Sequence, residues 1–158
     1  MNSLHRCCSD LLLLLVWLMP LLAGCGGQRE GPSEAVKGLP AGDRITIRAG
    51  GVPVRVRISQ TPREKEQGLM FTEQLPADEG MLFIFEHEHR PAFWMKNTPI
   101  DLDVAFIDRL GCIVEIRHMQ ALDEETIHRP RHPALYALEV NAGWFHEHGI
   151  TVGDEVEF

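Results

Sequence analysis

Cysteine is scarce in this chain: four in 158 residues, at positions 7, 8, 25 and 112. Three fall within the first 25 positions, so residues 43–158 hold a single thiol and cannot form an internal disulfide. Cys112 opens the strand-like run Cys112-Ile113-Val114-Glu115-Ile116 and reads as a buried, inert side chain. Lysine is scarcer still, which leaves Lys65 and Lys96 as the side-chain ammonium groups of residues 43–158. The sequence has no glycine-rich phosphate loop, no G-x-S-x-G elbow, and no C-x-x-C or H-E-x-x-H spacing. These absences remove the familiar nucleotide-binding, serine-hydrolase and zinc signatures. Positive charge is also short, with a formal net charge of −8. Arg6 cancels Asp10, and Arg29 and Lys37 cancel Glu30 and Glu34, so the whole excess lies on residues 43–158. A nucleic-acid partner, which needs a basic face, is excluded on that ground.

The one long hydrophobic run, Leu11–Leu22, is too short to span a bilayer comfortably. It follows a positive start at Arg6 and ends in Leu22-Ala23-Gly24-Cys25. Small residues before a cysteine admit a processing enzyme to the backbone, and the freed thiol accepts lipid. The element resembles the lipobox of bacterial lipoproteins. The resemblance implies a signal peptide over residues 1–24, lipidation at Cys25, and location in the cell envelope. Gly26, in place of Asp, implies the periplasmic face of the outer membrane in a Gram-negative cell. Residues 25–42, rich in Gly, Pro and small polar residues, read as a flexible tether.

The remaining 116 residues, 43–158, suffice for one domain with its own core. Ile45–Arg48 and Val54–Ile58 alternate apolar with polar residues as half-buried strands do, and Gly50-Gly51 supplies a hairpin turn. Thr61-Pro62-Arg63-Glu64 combines an N-cap, a first-turn proline and a capping-box glutamate, predicting a helix that ends near Gly68. Met81–Phe85 is apolar on both faces and reads as a central strand, and Phe93–Lys96 as another, closed by Asn97-Thr98-Pro99. Leu102–Ile107 and Cys112–His118 form a hairpin around Asp108–Gly111. Residues 119–134 are a long polar segment. Leu135–Val140 is a strand, Asn141 starts a short helix ending at Gly149, and Glu155–Phe158 is a last strand. The expected fold is mostly β (α+β). It is a compact, largely antiparallel curled sheet, sandwich or barrel-like, of about eight strands with two short helices.

Several stretches share one likeness: Glu66–Met70, Gly80–Phe83, Phe93-Trp94-Met95-Lys96-Asn97-Thr98, Leu102–Asp108 and Leu138–Gly143. In that order, across residues 43–158, they resemble the family catalogued as domain of unknown function 192. The resemblance implies a small β-rich domain, often behind a signal peptide, and no established reaction, substrate or cofactor. A Tyr-Pro-Ser-like element often precedes the Pro-Ala of one loop in that family. Here Ile127-His128-Arg129-Pro130-Arg131-His132 stands instead.

Trp94, Lys96, Asn97, Asp101 and Asp103 lie within ten positions around one turn. Alternation puts Trp94 and Lys96 on one side and Phe93 and Met95 on the other, and the turn is expected to fold Asp101 and Asp103 back towards Lys96. Such a set either binds a polar ligand or holds the turn together. Asp103 is expected to leave the core face with Ala105 and Ile107. Glu139 is expected to share a strand face with Leu135 and Ala137, so its carboxylate is either buried against a partner, with Arg63 as the expected cation, or lines a pocket. Asp103 and Glu139 together offer acid–base catalysis. His87-Glu88-His89 sets two imidazoles on one side of a strand and, with Met70, Met81, Met95 and Met119, raises copper handling. The same methionines sit in hydrophobic runs where they serve as filler. The leading expectation is a non-enzymatic, membrane-tethered lipoprotein, without cofactor, that binds a small polar ligand or an envelope protein. A carboxylate-dependent hydrolase of envelope glycan or peptide is second and a copper-handling domain third.

Overall fold

The alternating segments form strands β1 (Arg44–Ala49) and β2 (Val52–Ser59), paired antiparallel in a computed structural model that describes Val36 and residues 38–158. Gly50 and Gly51 both take positive φ, 56° and 82°, as the tight turn between twisted strands requires. Helix α1 (Pro62–Gln67) starts as its sequence predicts: Glu64 N–H donates to the Thr61 hydroxyl, and the Glu64 carboxylate accepts from Thr61 N–H. Gly68 ends it at φ 50°. The next strands are β3 (Glu79–His89), β4 (Leu102–Ile107), β5 (Ile113–Met119) and β6 (Ala134–Asn141). The short helix α2 (Trp144–Glu147) and strand β7 (Val156–Glu157) follow.

The sheet order is β5-β4-β6-β3-β2-β1-β7. Every neighbouring pair is antiparallel except β2 and β3, which run parallel because α1 carries the chain from the end of one to the start of the other. The two edges are drawn together. Ile113 N–H donates to Asp154 O at 2.9 Å, Gly153 N–H to Ile113 O at 2.9 Å, and Val156 N–H to Gly111 O at 2.7 Å. Cys112 and Glu155 form an isolated bridge at the same place. The result is a curled half-barrel, closed at one end.

Two apolar clusters share this sheet. Ile47, Val56, Leu82, Ala105, Tyr136, Leu138 and Phe145 fill the concave side. Met81, Phe83, Phe93, Met95, Val104 and Phe106 pack on the convex side of the central strands. β4 and β6 are therefore buried on both faces, which accounts for their nearly unbroken apolar sequence. Gly80 is needed where β3 meets β6: a Cβ there would stand 2.4 Å from the Glu139 carbonyl oxygen.

The fold departs from expectation in three places. Residues 93–96 are not a strand; Phe93 makes one bridge with His128 and the rest is irregular, giving seven strands. Asn141 does not cap α2, whose N-cap is Gly143; the Asn141 amide instead donates to the carbonyls of Leu75 and Pro76. Of the expected tether, the end nearest the domain is held: Val36 is buried, Gln60 Nε2 donates to Val36 O and Leu39 O, and Gly42 N–H donates to Ile58 O. The expected signal peptide, Cys25 and the expected tether up to position 35, together with Lys37, lie outside the described residues.

Candidate functional site

Covering the convex face of β3 and β6 takes two irregular pieces of chain. One is α1 with the turn that follows it, Lys65–Met70; the other is the loop Pro91–Trp94. They do not meet, and the gap between them is a cleft of about 260 Å³ floored by Phe83, Leu102 and Glu139. Past Trp94 the cleft continues into an open groove of about 490 Å³ that includes Arg63, Phe71, Lys96 and Asn97.

Glu139 is 5 % exposed. Its cross-strand neighbours are Met81 on β3 and Val104 on β4, neither of which carries a polar hydrogen. Glu139 Oε2 has no hydrogen-bond partner among the described residues. Burial pushes the carboxyl up to about 8, against a smaller downward pull from the charge of Arg57. Arg57, rather than the expected Arg63, is thus the cation that acts on Glu139. Its guanidinium lies on the same sheet face with Met81 between it and Glu139, Nη2 donating to Gly68 O at 3.0 Å and lying 3.7 Å from Met81 Sδ.

The rings around the cleft are ordered among themselves. Phe93 stands edge-on to Phe83 at 5.0 Å and to Phe106 at 5.6 Å. Each of the two lysines lies over a ring: Lys65 Nζ is 5.1 Å from the centre of Phe85, and Lys96 Nζ is 5.2 Å from that of Trp94. Burial holds the Lys65 ammonium below its usual range.

The expected corner comes apart. Trp94, Lys96 and Asn97 share the open groove with Arg63. Asp101 instead accepts from Ala121 N–H at 2.7 Å, fastening a neighbouring turn. Asp103 is on the opposite face of the sheet. It pairs across strands with Val140, one residue on from Glu139, so the two carboxylates point to opposite sides and share no site. Asp103 accepts from Gly143 N–H at 2.8 Å and from His118 Nδ1–H at 3.1 Å, which ties the start of α2 to β5. The face it occupies with Ala105 and Ile107 is the concave core, not an outer surface. The segment Gln67–Met70, part of the family likeness, makes one wall of the cleft and was not singled out for a site by its residue types.

Among the described residues, three non-glycine residues adopt left-handed backbone: Phe71 at φ 62°, Asn97 at 54° and Leu122 at 58°. All three gather beside the groove, where Phe71 N–H donates to Asn97 O at 2.7 Å and Leu122 N–H donates to Thr98 O at 3.0 Å. Conformations of this kind cost about 1–3 kcal/mol each and collect where ligands bind. His87 and His89 are exposed at the far end of β3, with His89 Nδ1–H donating to His87 O. Among the described residues no group of three or more His, Cys, Asp or Glu side chains is placed to hold a metal ion. Met81, Met95 and Met119 are buried in the convex cluster.

Residues 45–158 match the family model DUF192, described as "Uncharacterized ACR". The chain belongs to this family. One solved relative, from Sinorhizobium meliloti 1021, is called a candidate transcription regulator. It is 35 % identical with a TM-score of 0.69, over 76 % of this chain and 97 % of that one. Another member of known structure, a protein of unknown function from Novosphingobium aromaticivorans, is 32 % identical with a TM-score of 0.69, over 73 % of this chain and 85 % of that one. No curated protein matches the chain.

Proposed function

We propose that this protein is a membrane-tethered envelope lipoprotein whose domain binds a small ligand in the cleft between α1 and the 91–94 loop. The observation that carries the reading is Glu139, a buried carboxyl lining the cleft whose Oε2 has no hydrogen-bond partner among the described residues. An unpaired group of this kind costs about 1–3 kcal/mol or more, and one that lines a cleft is a candidate functional site. The aromatic walls, the exposed ring of Trp94 and the left-handed residues at the rim support the same site. The volume falls just below the ~300–1,000 Å³ of drug-sized pockets, so the occupant is a small molecule or a single side chain. Hydrolysis by a carboxylate pair loses its footing once Asp103 and Glu139 face opposite ways. The regulator description of the Sinorhizobium relative finds no support in a chain of net charge −8, which repels a phosphate backbone.

The test is a thermal-shift screen of the full chain against small metabolites, run beside Ala92→Trp. Ala92 is exposed and lines the cleft, so a large side chain there blocks the mouth without entering the core. A ligand at about a hundredfold excess over its Kd adds ~2.7 kcal/mol to the native state. The expected result is a ligand that raises the melting temperature of the wild type and not of Ala92→Trp. Ligands that shift both proteins equally place binding elsewhere and refute the cleft.

A further inference from the structure

We propose that the cleft selects an organic cation: a protonated amine on a small apolar body, with its ammonium against the Glu139 carboxylate. The inference rests on the cleft reading above and adds the ligand's chemical class. Three features carry it. Glu139 Oε2 is buried and unpartnered, and the side chains flanking it on β3 and β4 are Met81 and Val104, so the partner must come from the open side. The one guanidinium whose charge acts on Glu139, that of Arg57, donates to the Gly68 carbonyl and makes no hydrogen bond to the carboxyl. Four rings, Phe83, Phe85, Phe93 and Trp94, line the cleft among polar side chains, and ring faces attract cations. Two rings at the mouth, Phe85 and Trp94, already hold the protein's own ammonium groups.

The charged and titratable groups that face the cleft are few. Lys65 and Glu66 come from α1, His89 from β3 and Glu139 itself from β6, while Arg57 on β2 acts on Glu139 through its charge without lining the cleft. Lys65 is positioned over Phe85, and His89 Nδ1–H is turned to the His87 carbonyl. Neither reaches the carboxyl at the floor. An ammonium entering the cleft meets a group that holds its proton up to about pH 8. Cation binding therefore displaces that proton to solvent, and affinity rises with pH until the carboxyl is ionised without help. A neutral hydrogen-bond acceptor would do the reverse: it would use the acid as a donor and lose affinity above about pH 8.

The experiment is calorimetric titration of the full chain, purified in detergent, with phenethylamine, 2-phenylethanol and phenylacetate across a pH series spanning Glu139's transition. Phenethylamine should bind best, gain about tenfold in affinity per pH unit up to the transition and then level off, with proton release on its lower side. In Glu139→Gln the pH slope should vanish and affinity should drop at least about tenfold at the upper end. If 2-phenylethanol binds as tightly as the amine and weakens above the transition, the cation class is wrong while the cleft reading survives. Equal binding of the amine to wild type and Glu139→Gln overturns the proposal. So does failure of all three probes, and the broader screen against Ala92→Trp then judges the cleft on its own.

Discussion

Glu139 is costly to the fold in a pH-dependent way, and the sign is fixed by its proton. Below about pH 4.5 the carboxyl is protonated in both native and unfolded chains, so it adds no pH dependence. Between about 4.5 and about 8 the unfolded chain ionises while the native site keeps its proton, and native stability falls as pH rises. Above about 8 the penalty is complete and constant, at ~4–5 kcal/mol for a shift of this size. Glu139→Gln should leave stability close to wild type in acid and raise it progressively across that window, as read from urea midpoints at several pH values. A difference that does not change with pH would remove the buried-acid description. Much of this residue was legible in the sequence: alternation put Glu139 on a face with Leu135 and Ala137, and a carboxylate there had to be partnered or line a pocket. Ala137 keeps that face, while Leu135 packs in the concave cluster where the β3–β6 register shifts. Its relation to Asp103 was not legible. That depends on β4 and β6 being neighbours in a register pairing Asp103 with Val140, a long-range fact with no local trace.

At the scale of elements, α1 is the wall on which the cleft depends. It has six residues and none of them is buried, so its position is set by its ends. The capping box at Thr61 fixes one end, and Arg57 holds the Gly68 carbonyl at the other. Thr61→Ala should lower stability by ~1 kcal/mol, seen as a reduced denaturant midpoint with unchanged slope. It should also weaken any cleft ligand, because Lys65–Met70 would be less firmly placed; unchanged affinity would show that the wall is held without the cap. This helix was the most readable element in the chain, since every signal for it lies within a few residues. The hairpin at Gly50-Gly51 was readable for the same reason. The 93–96 segment misled because Phe93-Trp94-Met95-Lys96 alternates like a strand while only Phe93 finds a partner, at His128. The parallel pairing of β2 with β3 was implied by a strand, helix and strand in succession, yet frequent hairpins elsewhere favoured an antiparallel reading.

At the scale of the molecule, the lipobox-like Leu22-Ala23-Gly24-Cys25 makes a prediction independent of the cleft. Cys25→Ser should abolish lipid labelling and leave the signal segment unprocessed by the lipoprotein route; a variant still labelled with palmitate and still sedimenting with membranes would end the anchor proposal. The sheet itself bears on how such a chain reaches its membrane. Its first strand, β1, is bonded to its last, β7, and the edges close only through residues 153–156. The half-barrel thus cannot be completed until residues 153–156 have left the ribosome, and pairings that span nearly the whole domain are slow to form. A nascent chain of this design stays open until those residues emerge, and under the lipoprotein function proposed above an export channel would receive it as a thread with no folded body to pull apart.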